Sequence, residues 1–336
     1  MRYRKLGRTG IKVSVIGFGG IPIQRVTEED ASIIVNKALD LGINFFDTAR
    51  GYTDSEAKLG AALIKRRKEA VIATKSMSRT GEGMAADIQK SLEALRTDFI
   101  DIYQLHNVKD EMTLKQVFSK NGALAALTKA KQDGLIRHIG ITGHIKSYLM
   151  EAIKIKEIET VQFPFNAIET AGVNELLHDT GKTDTGVIIM KPLAGGALKK
   201  AGPALRYILE YPVSTVIPGM DFLKQVEENA SAGSNPAPLS AAEKQMLEKE
   251  KEKLGAAFCR RCEYCLPCSQ GIDIATIFLL DGYYTRYDLQ NWARERYRGL
   301  PVNADSCLEC GECEEKCPYS LPIRQMLKDA AARMAN

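Results

Sequence analysis

From residue 13 onward the chain alternates between two hydrophobic patterns. Short β-branched or apolar runs at 13–20, 44–49, 70–76, 101–107, 138–144, 160–166, 186–193 and 214–220 read as eight strands. Between them lie longer stretches with apolar residues at helical spacing. Residues 28–41 carry Ile33, Ile34, Ala38 and Leu41, and residues 84–95 carry Ile88, Leu92 and Leu95. Residues 121–132 and 146–155 read the same way, and Gly42, Gly134 and Gly255 stand where helices end. Alternation of strand and helix predicts a parallel sheet with helical crossovers. Eight such units in about 220 residues predict a closed (β/α)8 barrel. The competing arrangement is an open doubly wound sheet, which commonly has a Gly-rich turn after its first strand. Gly17-Phe18-Gly19-Gly20 matches that turn only in part.

The beat stops at Ser234-Asn235-Pro236-Ala237-Pro238. A charged helix over 240–254 follows, with Ser240 as N-cap and Glu243 three residues on, a capping-box pattern. The expected organisation is a barrel over 1–235, a connecting helix over 236–255 and a small domain over 256–336. An aromatic stripe in that last part, Tyr283, Tyr284, Tyr287 and Trp292, reads as core rather than as a cofactor site.

Composition changes this picture little. The 336 residues suit one large domain and one small one, and 45% hydrophobic with 26% charged residues is ordinary for globular chains. A net charge of +4 without a basic, aromatic-laced block argues against a nucleic-acid partner. The absence of an 18-residue apolar run argues against a membrane span. Residues 1–10 lack the apolar core of a signal peptide, so a cytoplasmic location is expected. Reducing compartments keep thiols free, so the eight cysteines, all beyond residue 258, are not read as disulfides.

Polar residues at the C-terminal ends of barrel strands build active sites. Asp47 ends the second strand, Tyr52 follows it, Lys75 ends the third and His106 ends the fourth. Each alone reads as a solvated or structural side chain; four at one rim form a constellation. Hydride addition to a carbonyl leaves an oxyanion that needs a proton. A phenol can supply it, but its ordinary pKa of about 10 is high for the task. A neighbouring ammonium favours the phenolate, and a buried ammonium needs a counter-charge such as Asp47. His106 can hydrogen-bond the carbonyl oxygen.

This tetrad resembles that of the aldo-keto reductases. So do Arg4-Lys5-Leu6-Gly7-Arg8-Thr9-Gly10, Phe45-Phe46-Asp47-Thr48-Ala49, Gln162-Phe163-Pro164-Phe165-Asn166, Pro192-Leu193, Ile217-Pro218-Gly219 and Glu228-Asn229. The resemblance covers about residues 1–230 and implies a (β/α)8 barrel, Asp47, Tyr52, Lys75 and His106 as catalytic residues, and NADP(H) or NAD(H) across the barrel mouth. It puts Gln162 and Thr142 at the carboxamide, Asn229 at the adenine and the stretch from Lys191 through Gly195 to Gly196 beside the pyrophosphate. It places Gly20, Gly143, Met190, Pro192, Leu193, Gly219 and Gln225 at the nucleotide as well. Three departures stand out. Thr142-Gly143 replaces a frequent Ser-Asn, Met190 replaces a frequent stacking aromatic, and Gly219 and Gln225 replace the cations that clamp a 2′-phosphate. Without those cations NADH is as plausible as NADPH.

Cys259-x2-Cys262-x2-Cys265-x2-Cys268 is followed by Cys307-x2-Cys310-x2-Cys313-x3-Cys317-Pro318. The second run has bacterial ferredoxin spacing, and the first is one residue shorter before its last cysteine. Two zinc sites could use the same eight thiolates, but tight triplets and the terminal Cys-Pro favour two [4Fe–4S] clusters. The tail resembles the ferredoxin-like domain on one branch of aldo-keto reductase relatives. In two-cluster ferredoxins the fourth cysteine of each run serves the other cluster. That implies Cys259, Cys262, Cys265 and Cys317 on one cluster and Cys268, Cys307, Cys310 and Cys313 on the other.

Two functions remain open at this level. One is an oxidoreductase that exchanges hydride between a nicotinamide and a carbonyl or alcohol, with Tyr52 as acid/base and clusters that pass electrons to a ferredoxin or similar partner. Hydride carries two electrons and a cluster takes one, a mismatch that a flavin usually bridges; no flavin fingerprint is present, although barrels can bind flavin without one. The other is a non-catalytic redox sensor on a barrel scaffold. The residues name no substrate.

Overall fold

The computed structural model describes residues 1–235, 237–255, 258–260, 265–317 and 319–335. Two compact units form. One comprises Met1–Leu193 with Lys200–Ser240, the other Ala194–Lys199 with Ala241–Asn336.

In the first unit the strands are β1 (Tyr3–Lys5), β2 (Lys12–Ser14), β3 (Phe18–Gly19), β4 (Phe45–Asp47), β5 (Val71–Ser76), β6 (Ile100–Leu105), β7 (Ile136–Thr142), β8 (Thr160–Pro164), β9 (Gly186–Met190) and β10 (Thr215–Ile217). β3 to β10 make one parallel sheet in sequence order. It closes where Gly17 N donates to Val216 O at 2.8 Å and Gly19 N to Pro218 O at 2.8 Å. The eight-stranded barrel read from the alternation is thus present.

The expected first strand, 13–20, is not continuous. Its start is β2, which pairs antiparallel with β1, while the barrel is joined by a bridge from Ile16 to Val216 and by the short strand Phe18–Gly19. The hairpin carries Leu6 and Val13, both fully buried with Phe45, Ala73, Ile102, Ile188 and Ile217. It therefore plugs the barrel at the strand N-termini, where Leu6 packs on Gly186 at the start of β9.

Helix starts shift for local reasons. The helix expected over 84–95 runs Gly81–Ala94, because Thr80 caps it by accepting from Gly83 N. Thr27 caps Glu28–Asp40 in the same way through Asp30 N, and three acids in its first turn suit the helix dipole. The outer faces of the strands and the inner faces of the helices share one core, from Ile16 and Ile34 through Ile139 to Val226.

The second unit is helical among its described residues. Helices Ile274–Arg286, Gln290–Arg298 and Ile323–Met334 pack around Ile277, Leu280, Tyr297 and Leu327. Each such buried side chain contributes about 1.5–3 kcal/mol. Tyr283 meets Trp292 edge-on with centroids 4.8 Å apart, and Tyr283, Tyr284 and Trp292 of the aromatic stripe lie partly buried against this core. No described helix is long and apolar enough to cross a membrane.

Candidate functional site

Strand period two aims Phe45 and Asp47, Ala73 and Lys75, Ile102 and Gln104, and Thr160 and Gln162 inward. The first member of the first three pairs belongs to the apolar floor. The second members make a polar layer above it, nearer the strand C-termini.

Lys75 Nζ donates to Asp47 Oδ1 at 2.6 Å and to Thr48 O at 2.8 Å. Both side chains are buried. Burial raises the Asp47 carboxyl above its usual range, and Lys75 offsets only part of that. Burial likewise lowers the Lys75 ammonium, which Asp47 partly restores. The Lys75 ammonium lies 5.0 Å from the centroid of the half-buried Tyr52 ring. Tyr52 and His106 meet edge-on, with centroids 6.1 Å apart. The tetrad expected from the sequence is thus brought together.

His106 Nδ1 is buried and has no hydrogen-bond partner among the described residues. Its backbone is fixed by donation to Ser76 O at 3.0 Å, and Arg79 donates to the His106 and Asn107 carbonyls at 2.7 and 2.9 Å. Burial, then the charges of Lys75, Arg79 and Lys191, push the His106 pKa well below the usual imidazole value. At neutral pH this ring is uncharged, able to hydrogen-bond but not to store a proton.

Of the residues expected at the nucleotide, Thr142 and Gln162 are buried at the rim. Thr142 Oγ1 accepts from Asn107 N at 2.9 Å, and Gly143 N donates to Gln162 O at 3.2 Å. Gly20 N donates to Asp47 O at 2.8 Å, which places it beside the tetrad. Met190 ends β9, and Lys191, Pro192 and Leu193 follow it directly. Lys191 has φ +54°, its carbonyl is held by Asn166 Nδ2 at 3.0 Å, and its Nζ lies 3.0 Å from His144 Nε2. Gly195 lies in the second unit, where its carbonyl accepts from Arg286 Nε at 3.0 Å. Gly219 bridges Gly19, and a Cβ there would lie 2.6 Å from Pro22 Cγ. Gln225 Oε1 accepts from Asp221 N at 2.8 Å, and Asn229 is buried.

Sequence reasoning passed over Gln104. Its amide donates to Gln162 Oε1 at 2.9 Å and reaches Asp47 Oδ2 at 3.5 Å, so it ties the tetrad to the carboxamide position. A signal existed: Gln104 precedes His106 by two in a strand and must share its face. Arg79 and His144 gave no comparable signal, since their roles depend on loops that meet in space.

In the second unit lie Cys259 and Cys265, and Cys268, Cys307, Cys310, Cys313 and Cys317 form no disulfide among the described residues. Cys262 and Pro318 lie outside the described residues. A small pocket of about 20 Å³ is lined by Cys265, Cys268, Cys307, Cys310 and Cys313, but not by Cys317. Glu309 N donates to Cys307 Sγ at 3.4 Å. Among the described residues no three His, Cys, Asp or Glu side chains converge as a single metal ion would require. Zinc needs its sulfurs about 2.3 Å away.

The Aldo/keto reductase family model matches residues 15–203, and that of a 4Fe-4S dicluster domain matches residues 258–322. L-galactose dehydrogenase of Arabidopsis thaliana is 32% identical over 298 residues, covering 74% of this chain and 92% of that protein. D-threo-aldose 1-dehydrogenase of a Pseudomonas species is 24% identical, covering 58% of this chain and 70% of that protein. Among solved structures, aldo-keto reductase AKR11C1 from Bacillus halodurans in its holo form superposes with a TM-score of 0.65. It has 26% identity and covers 74% of this chain and 96% of that one.

Proposed function

Since the chain belongs to the aldo/keto reductase family, we propose that its barrel interconverts a carbonyl and an alcohol with NAD(H) or NADP(H), using Tyr52 as acid/base. The observation that carries this is the packing of the Lys75 ammonium, itself paired to Asp47, against Tyr52, with the orphaned His106 Nδ1 beside them. The bound nicotinamide supplies or accepts the hydride. His106, neutral, positions the substrate oxygen. Tyr52 gives that oxygen its proton during reduction and takes it back during oxidation. Lys75 holds positive charge beside the phenol and stabilises the oxygen anion left behind. Asp47 keeps that ammonium charged in a buried place, and Gln104 holds both Asp47 and Gln162. Donors and acceptors unsatisfied at the rim, Gln104 Oε1 and His106 Nδ1, fit a polar ligand there.

Of the two nucleotides the residues favour NADH. Gly219 and Gln225 offer no charge to a 2′-phosphate, and the neighbouring Arg25 is committed to Asp221 at 2.5 Å. Both named relatives act on sugars by title, so aldoses head the list of substrates to assay.

The tail belongs to a 4Fe-4S dicluster domain. We assign it two [4Fe–4S] clusters with exchanged fourth ligands, as the spacing implies; Cys265 and Cys268 of the first run both line the pocket of Cys307, Cys310 and Cys313. When loaded, they supply one-electron transfer to a protein partner.

Assay of wild type and Tyr52→Phe against aldoses and simple aldehydes tests the barrel reading. Loss of 10²–10⁴-fold in turnover, with nucleotide binding unchanged, is the expected result. Equal turnover in both would remove Tyr52 from its role. Anaerobic titration with NADH and then NADPH, followed by cluster absorbance, tests coupling: bleaching is expected if hydride electrons reach the iron, and unchanged absorbance with bound nucleotide would show that they do not.

A further inference from the structure

Arg260 follows Cys259, the first cysteine of the tail. Its guanidinium carbon lies 3.8 Å from the centroid of Tyr319, which stands two residues beyond Cys317. The stack therefore brings the start of the first cysteine run to the end of the second. Arg260 Nε and Nη1 are buried without a hydrogen-bond partner among the described residues. Two other arginines of this unit are paired to carboxylates, whereas Arg294 bonds the Tyr284 hydroxyl and also keeps a buried Nε without a partner among the described residues. Arg333 is forked on Asp281 at 2.7 and 3.1 Å, and Arg324 on Glu314 at 2.9 and 2.7 Å. A permanent cation with two buried, unsatisfied donors is costly unless an anion meets it.

A cluster is that anion. A [4Fe–4S] core with four thiolates carries +2 − 4 = −2 when oxidised and +1 − 4 = −3 when reduced. A fixed cation attracts the more negative state more strongly and so raises the potential. At the other triplet the cation in the pocket lining, Arg324, is already paired with Glu314, and Glu312 lines the pocket beside it.

We propose that Arg260, held by its stack on Tyr319, is the counter-cation of the cluster that Cys259, Cys265 and Cys317 help hold. It makes that cluster the first of the two to accept an electron. This rests on the two-cluster reading of the tail. Arg260 acts here as a positioning charge on the potential, not as a catalytic residue.

The test uses the full chain purified without oxygen, as wild type, Arg260→Met and Arg260→Lys. Iron and sulfide are counted first, and then both cluster potentials are read by mediated dithionite titration with electron paramagnetic resonance. Arg260→Met should keep both clusters and lower one midpoint. The reduced-to-oxidised ratio of that cluster should fall at least tenfold at fixed potential, which is about 59 mV for one electron. The other midpoint should stay, and Arg260→Lys should lie nearer wild type. If Arg260→Met does not load iron while Arg260→Lys does, the charge requirement is also upheld. Two unchanged midpoints in loaded Arg260→Met overturn the inference, and so does failure of both variants to load, which makes the stack purely structural. Wild type without iron overturns the two-cluster reading itself, and the inference with it.

Discussion

Lys75 Nζ sits 2.6 Å from Asp47 Oδ1, with both side chains buried at the ends of neighbouring strands. Burial works against both charges, and each is the main compensation of the other. Removing one partner strands the other. Lys75→Met should therefore destabilise the barrel by about 3–5 kcal/mol. The double variant Asp47→Asn/Lys75→Met should lose less than the sum of the single variants. Denaturant unfolding of the three proteins checks this; additive losses would mean that the pair is not coupled.

The neutral state of His106 gives a prediction about pH. Burial and three nearby cations hold its pKa well below the usual imidazole value. His106→Gln should then lower turnover by about 10²-fold, as loss of one oriented hydrogen bond does. The inflections of the pH–rate profile between about 5 and 8 should not move, because in wild type His106 does not titrate there. Disappearance of an inflection in the variant would assign that proton to His106 instead.

Nucleotide preference should respond at one of the two departed positions only. A Cβ at Gly219 would lie 2.6 Å from the ring of Pro22, so Gly219→Lys should cost stability without improving NADPH use. Gln225→Arg meets no such ring and brings a charge-assisted donor. The preference for NADPH over NADH should rise about tenfold, the weight of about 1.4 kcal/mol. Fluorescence titration with both nucleotides measures it. A ratio that stays put in Gln225→Arg would place the 2′-position elsewhere.

Glu159 stands just before β8, at the stability end of the barrel. Burial alone would raise its pKa. Hydrogen bonds from His138 and Lys131, the charge of His138 and donation from Ile139 N outweigh it and hold the value at about 2. The folded value is below the ordinary 4.5, so this stabilisation is present above about pH 4.5 and is lost as pH falls towards about 2. Glu159→Gln should melt below wild type at neutral pH, and the gap should close across that window. A gap independent of pH would show that the loss is packing rather than charge.

The strand–helix rhythm fixed the barrel because period two and period 3.6 are local properties of the chain. The rim positions of Asp47, Lys75 and His106 were readable for the same reason: each ends a strand, and strand ends of a parallel barrel share one face. Cysteine spacing identified the tail because a cluster needs several thiolates within a few residues. Tertiary structure decided what local pattern cannot carry. Residues 13–20 were expected as one strand, but closure through Gly17 and Gly19 leaves β2 free to pair with β1 and plug the floor. Gln104 gains its role only when β6 lies between β5 and β7 and its amide meets Asp47 and Gln162, 57 and 58 residues away in sequence. Lys191 reaches His144, and Arg260 reaches Tyr319, across similar separations. Such partners are set by packing, whose cost and gain are summed over the whole fold, and no window of sequence contains that sum.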